Sequence, residues 1–370
     1  MNLDADQKEK FFERVLALAQ GGWGLTHPNP MVGSLIVERG ENVAEGYHHA
    51  CGGSHAEIEA FAALGRQPNS GAVMFVSLEP CSTHGNTPPC TEAILRSGSK
   101  KVFVATTDPN PKHAGAGLDL LRSRGVEVEL AGELIQAPAE RMNFIFNHNM
   151  RTGDPLIALK LAESANGMVA ERLGHPSSVT DSEARQDVMR WRRLFPAICV
   201  GSGTVLADDP SLTARLPDET WCPVRILVDS SLSTLGEEVV SRKVYVDEFS
   251  DRTLILTSAK GMVNKERVGR AKKFGIRLIE VEEAKGGGID PASLRVVLSE
   301  LGLNALYCEG GPTLARSLLD AGQVDYLFHY RSPKLFAGPN ALSGPGLDQF
   351  PVRRPMQEKL GEDTLIHGFL

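Results

Sequence analysis

Three short strings govern what this chain can fold into: His55-Ala56-Glu57, then Pro80-Cys81, then Pro88-Pro89-Cys90. Together they supply an imidazole, a carboxylate and two thiols, the side chains that hold zinc and move protons. A His or Cys taken singly is most often a packed or surface residue. The ordered set, with a Glu two residues after the His, is a ligand pattern, and it works only if the fold carries its members to one point. The local pattern says how. Residues 55–64 place Ile58, Phe61 and Ala62 at helical spacing and stop at Gly65. Residues 90–97 form a second helical run, with Pro88-Pro89 ahead of it where a missing N–H costs little. His55 and Cys90 therefore stand at two helix starts, where the positive dipole ends favour thiolate and hydroxide.

The rest of the first third reads α/β. A helix is expected over Lys8–Gln20, with Phe11, Phe12, Val15, Leu16 and Ala19 on one face, and another over 117–124. Strands are expected at 33–38, 73–77, 102–106 and 126–130. Residues 147–155 are polar, with Gly and Pro, and place a domain boundary there, giving domains 1–150 and 151–370. A second series follows, with strands at 156–161, 197–201, 224–229, 253–257, 276–281, 304–308 and 324–330. Its helices fall at 181–194, 264–274, 291–302 and 313–321. Alternation of this kind predicts mostly parallel sheets covered on both faces.

Length agrees: 370 residues fit two domains at roughly 150 residues each. A 42% hydrophobic and 23% charged composition excludes a disordered chain. No run of about 18 apolar residues suggests a membrane span. Met1–Lys10 is acidic and polar, unlike a secretory signal. The six cysteines are too sparse for a disulfide scaffold, so a cytoplasmic chain with reduced thiols is expected. Residues 1–150 hold 12 Lys+Arg against 17 Asp+Glu, and residues 151–370 hold 27 against 29. Neither half carries the basic footprint of a nucleic-acid binder. A small phosphorylated ligand needs only a few well-placed arginines.

With His55, Cys81 and Cys90 as ligands, the two thiolates cancel the charge of a zinc ion and leave a fourth position for water, whose pKa falls to about 7. Glu57 is placed to carry a proton from that water to a leaving amine. Cys51 is a competing ligand, but a third thiolate would close the water position. His84, between the two Cys ligands, is a loop or substrate residue. The set matches the pattern of zinc deaminases acting on nucleobases, except that eight residues separate Cys81 from Cys90 where two are usual.

In the second half, an apolar strand ends at Cys308, Gly310-Gly311 let backbone approach a ligand, and Pro312 can open a helix. Free N–H groups there suit a phosphate; a plain strand-to-helix turn would look the same. Gly201-Ser202-Gly203 follows a strand but lacks the third glycine of a dinucleotide fingerprint.

Further strings stand beside these: Thr26-His-Pro-Asn-Pro-Met-Val-Gly33, Gly46-Tyr-His48, the whole of Leu78–Cys90, and Asp108-Pro-Asn-Pro111. With them the chain resembles the bifunctional deaminase/reductase family of riboflavin biosynthesis over nearly its whole length. The long Cys81–Cys90 loop is that family's own variant. The resemblance implies a cytidine-deaminase-like α/β/α domain followed by a dihydrofolate-reductase-like α/β domain. It implies hydrolytic deamination of 2,5-diamino-6-ribosylamino-4(3H)-pyrimidinone 5′-phosphate, then NADPH-dependent reduction of ribosyl to ribityl, in a homo-oligomer with no nucleic-acid or membrane partner. By the same matching, Asn29 and His48 touch substrate in the first domain, and Arg192, Leu212, Arg215 and Glu309 in the second. Ala162, Thr204, Asp208, Ser230, Gly311, Pro312, Thr313 and Leu314 fall on cofactor positions. Arg192 and Arg215 make sensible forks for a ribose phosphate.

The departures lie in the second domain. Asn166 stands where the family usually has Asp, Ser178 where it has Trp, and Met189 where a polar residue or His is common. The alternatives are a deaminase with a non-catalytic second domain, a structural zinc protein, and a nucleic-acid deaminase, which the charge disfavours.

Overall fold

The computed structural model describes residues 3–84, 88–111, 113–172, 178–237 and 241–370. It divides into two units, Met1–Gly153 and Asp154–Leu370. The first unit runs α1 (Ala5–Ala19), β1 (Gly33–Glu38), β2 (Glu41–Tyr47), α2 (Ala56–Leu64), β3 (Val73–Val76), α3 (Cys90–Ser97), β4 (Lys101–Val104), α4 (Ala116–Ser123), β5 (Glu127–Leu130), α5 (Glu133–Met142) and α6 (Phe144–Thr152). Its sheet has the order β2-β1-β3-β4-β5. Strand alternation sorts the side chains. Ile36, Met74, Val76, Val102 and Val104 pack against α2, α3 and α4 through Ala60, Ile94, Leu118 and Leu121. Leu35, Val37, Val73, Phe75 and Phe103 face α1 and α5 through Phe12, Val15 and Ala139. The result is three layers, with α2 and α3 side by side on one face.

One expectation needs correction. The first sheet is mixed, because β1 pairs antiparallel with both β2 and β3, and only β3-β4-β5 are parallel. β2 was missed because it is a polar edge strand, with its first three residues exposed. The stretch 147–155, where the boundary is expected, contains the break but begins as helix. It is helical to Thr152, with Asn147 buried and donating to Glu140 O at 2.8 Å, and the break falls at Gly153.

The second unit runs β6 (Leu156–Glu163), β7 (Met168–Ala170), α7 (Ser182–Leu194), β8 (Ala197–Gly201), α8 (Ser202–Asp208), β9 (Ala214–Arg215), β10 (Thr220–Trp221), β11 (Val224–Val228), α9 (Lys243–Val246), β12 (Thr253–Thr257), α10 (Ala259–Met262), α11 (Lys265–Lys273), β13 (Arg277–Glu280), α12 (Ala292–Glu300), β14 (Ala305–Cys308), α13 (Pro312–Asp320), β15 (Tyr326–Arg331), β16 (Leu342–Ser343), β17 (Arg353–Leu360) and β18 (Asp363–Phe369). Nine strands form one sheet in the order β13-β12-β11-β8-β14-β6-β15-β18-β17. It is parallel from β13 to β15, and β18 and β17 close it as an antiparallel hairpin. On one face Ile157, Leu159, Leu161, Leu306 and Cys308 pack against α12 and α13. On the other face of the same strands stand Lys160 and Tyr307, the latter against Phe195 just past α7. Ligand sites in parallel sheets gather where strands end in loops, and the carboxyl ends of β6, β8 and β14 lie side by side here.

Candidate active sites

In the first unit His55 caps the start of α2 and Cys90 opens α3. Cys81 follows the loop after β3. His55 Nδ1 lies 3.2 Å from Cys90 Sγ and 3.6 Å from Cys81 Sγ, and all three donor atoms fall within 4.8 Å of one another. Donors on a tetrahedral zinc ion, at bond lengths near 2.0 Å for nitrogen and 2.3 Å for sulfur, stand about 3.5 Å apart. The three residues therefore fit as three corners of such a site. Hydrogen bonds from Cys90 and His55 hold the Cys81 thiol down to about 4, so this ligand is a thiolate at neutral pH. Glu57, in the first turn of α2, is 3% exposed. Burial first, and the Cys81 charge second, push its carboxyl up.

His48 packs edge-on to His55 with ring centres 5.6 Å apart. Its Nδ1–H donates to Ser54 O at 2.9 Å, which leaves Nε2 to accept from the Asn29 amide at 3.3 Å. Burial lowers its pKa, so it is a neutral ring in a fixed tautomer. Asn29 and His48 are thus brought to the metal cluster. Cys51 is exposed and outside the cluster, and His84 is exposed with its ring 3.8 Å from Glu92. Residues Gly85, Asn86 and Thr87 of the Cys81–Cys90 loop lie outside the described residues.

Glu79 is a positioning residue that the sequence reading passed over. Its carboxylate accepts from the backbone N–H of Asp108, Gly115 and Gly117 at 2.8–3.0 Å. A Cβ on Gly117 would lie 2.2 Å from Pro80 O. The Leu78–Cys81 and Asp108–Pro111 strings are therefore one structure: the second clamps the chain that aims Cys81.

In the second unit the strand ends border a cleft of about 1070 Å³. Ala162, Thr204, Asp208, Ser230 and Gly311 to Leu314 all line it, as do Leu212 and Glu309. Gly311 caps α13, and a Cβ placed on it would lie 3.4 Å from Thr204 Oγ1, so the starts of α8 and α13 stand close together. Arg192 lines it too, but not as a free fork. Its Nε and Nη2 donate to the two oxygens of Glu309 at 2.6 and 3.0 Å, and Nη1 to Thr213 O at 2.9 Å. Arg215 is exposed on β9, donates to Thr213 Oγ1 at 3.3 Å, and is not part of the lining. Lys160 is a second residue that sequence reading missed. It sits on the cleft floor with its ammonium 3.9 Å from Glu309. Burial lowers its pKa, and the Glu309 charge opposes that. Burial would raise the Glu309 carboxyl, but Arg192 and Lys160 outweigh it and hold the group ionised.

Residues 5–106 match the cytidine and deoxycytidylate deaminase zinc-binding region, and residues 155–366 match the RibD C-terminal domain. The riboflavin biosynthesis protein RibD of Bacillus amyloliquefaciens is 39% identical over 92% of this chain and 89% of its own length. That of Escherichia coli is 37% identical over 98% and 99%. The chain belongs to the RibD family. Two solved structures show the same fold at 29% identity. Acinetobacter baumannii RibD has a TM-score of 0.79 with 99% of each chain covered. A diaminohydroxyphosphoribosylaminopyrimidine deaminase/5-amino-6-(5-phosphoribosylamino)uracil reductase from Thermotoga maritima has 0.80 with 98% of each.

Members of the RibD family are bifunctional deaminase/reductases of riboflavin biosynthesis, and this chain carries both domains, one cytidine-deaminase-like and one dihydrofolate-reductase-like. Asn166, Ser178 and Met189 each have local partners. Asn166 lies away from the cleft lining, where its amide donates to Phe336 O at 2.7 Å and its oxygen accepts from Phe336 N at 3.2 Å. Ser178 lines the cleft, and its hydroxyl accepts from Arg185 at 2.9 Å. Met189 also lines the cleft, 3.9 Å from Arg192 Nη1.

Proposed function

We propose that the first unit deaminates 2,5-diamino-6-ribosylamino-4(3H)-pyrimidinone 5′-phosphate at a zinc site, and that the second reduces the ribosyl group of the product to ribityl with NADPH. The observation that carries the first half is the His55–Cys81–Cys90 triangle with Glu57 buried beside it. When bound there, zinc supplies a Lewis acid that makes water nucleophilic at neutral pH. Glu57 takes the proton released by that water and delivers it to the leaving amine; its raised affinity for protons suits both transfers. The neutral His48 ring holds the Asn29 amide, whose oxygen and remaining N–H present fixed hydrogen-bonding groups to the pyrimidine or its ribosyl group.

In the second unit NADPH supplies the hydride. The start of α13 would hold a cofactor phosphate. Opening the sugar breaks the C1′–O4′ bond, and O4′ must gain a proton as the hydride reaches C1′. Lys160 is the group on the cleft floor able to give it, and Glu309 holds its ammonium in place. A cytoplasmic setting fits six cysteines, none of them in a disulfide. The test gives zinc-loaded protein the diaminopyrimidine substrate with NADPH, and follows ammonia and NADPH absorbance together. Ammonia release followed by NADPH loss is the expected result. Ammonia with NADPH unchanged would sink the second half of the proposal.

A further inference from the structure

If the second cleft is a reductase site, it takes two phosphate monoesters: the 5′-phosphate of the sugar and the 2′-phosphate that distinguishes NADPH from NADH. Each is an anion that needs cations aimed at it. The described cations lining the cleft are Lys160, Arg172, Arg185 and Arg192. Arg192 and Lys160 are committed to Glu309, the first through two hydrogen bonds. Arg172 and Arg185 remain, and of these Arg185 is the one that is held.

Arg185 Nη1 donates to Thr180 O at 2.6 Å and to Ser178 Oγ at 2.9 Å. Ser178 is itself fixed from the other side, where Lys334 Nζ donates to its carbonyl oxygen at 2.9 Å. The helix that carries Arg185 is anchored by the buried Ala184 and Val188 on either side of it. The Nε–H and Nη2 groups of Arg185 have no partner among the described residues. One nitrogen of the guanidinium is pinned, and the side-on edge that recognises phosphate with two parallel bonds is open.

We propose that Arg185, held by Ser178 and Thr180, is a phosphate-binding residue of the reductase cleft. The inference rests on the reductase reading of that cleft, and its test does not depend on turnover. The full-length chain is titrated with ribose 5-phosphate, adenosine 2′,5′-bisphosphate and adenosine 5′-monophosphate, in wild type and in the R185Q, R185K and R215Q variants. R185Q is expected to weaken one of the first two ligands by about tenfold or more, as for loss of a charged bidentate contact. R185K recovers only part, because an ammonium has no fork. Loss confined to ribose 5-phosphate assigns the sugar phosphate. Loss for the bisphosphate but not the monophosphate assigns the cofactor 2′-phosphate. Unchanged binding of all ligands in R185Q overturns the proposal, and so does loss in R215Q alone, or a wild type that binds neither phosphate. Thermal melting shows that R185Q is folded. A wild type that binds phosphate through Arg185 yet oxidises no NADPH would leave this inference standing and remove the reductase reading.

Discussion

Glu57 is buried and Glu309 is largely so, with 11% of its side chain exposed to the cleft, and their surroundings drive them in opposite directions. Glu57 is 3% exposed beside a thiolate, and its carboxyl is pushed up towards holding a proton. Glu309 faces Arg192 and Lys160, and those two charges keep it ionised despite burial. The first is equipped to take up and give back a proton; the second is a fixed anion that orients two cations. Under the proposed function, one residue type serves a chemical role in one unit and an electrostatic role in the other, by neighbours alone.

Neutralising each glutamate separates the two roles. Glu57→Gln should leave fold and zinc content intact and cut ammonia release by about a thousandfold, within the range for loss of a general acid–base. NADPH oxidation should be unchanged when the deaminated intermediate is supplied directly. Retained ammonia release would show that Glu57 carries no proton. Glu309→Gln should act on stability: removing one partner of a buried pair costs about 3–5 kcal/mol, because Arg192 is left without its counter-charge. Denaturant melts should show the second unit unfolding early and the first unmoved. The pH dependence has a definite sign. A carboxylate whose pKa is lower folded than unfolded stabilises above its unfolded value, near 4.3, and that stability is lost as pH falls through it towards the folded value. The wild-type second unit should therefore lose stability below about pH 4.5, and Glu309→Gln should flatten that acid limb.

Lys160→Met tests the proton source in the second cleft. Loss of one charged donor aimed at a reacting oxygen costs about a hundredfold in turnover. NADPH oxidation should fall by that factor with the affinity for NADPH little changed, while ammonia release continues. A fall in cofactor affinity with normal turnover would make Lys160 a binding group instead.

The two units also differ in how much of them the sequence discloses. The candidate zinc ligands and Glu57 fall within one stretch of the chain, with His55 and Cys90 at helix starts, so their order pointed to a metal site, while the long Cys81–Cys90 spacing departs from the generic motif and only the resemblance accounts for it. The reductase cleft is assembled from strand ends as far apart as Lys160 and Leu314, and no local spacing records that. Lys160 stands in the otherwise apolar strand 156–161, and no local spacing gives it a role. Arg192 looked like a free fork because Glu309, 117 residues on, is invisible to local pattern. The strands followed the same logic. Buried parallel strands such as Ala197–Gly201 are apolar runs and were legible. The edge strands Glu41–Tyr47 and Arg353–Leu360 are polar and half exposed, because an edge facing water must not invite another chain, and they carry no such signature.

The smallest expected effect concerns Asn166, where the resemblance led to the expectation of Asp. Its amide pairs with both backbone groups of Phe336, donating to the carbonyl and accepting from the N–H. An aspartate could keep the second bond and the one from Ser164 Oγ, but it has no N–H to give. Asn166→Asp would set a carboxylate oxygen against Phe336 O and leave that carbonyl without its donor. The cost should be about 1–2 kcal/mol in the melting of the second unit. Because Asn166 is not among the residues lining the cleft, NADPH turnover should not rise when the family's usual residue is restored. A gain in turnover would mean that the position acts on the reaction, and that the amide here is a catalytic loss rather than a local structural exchange.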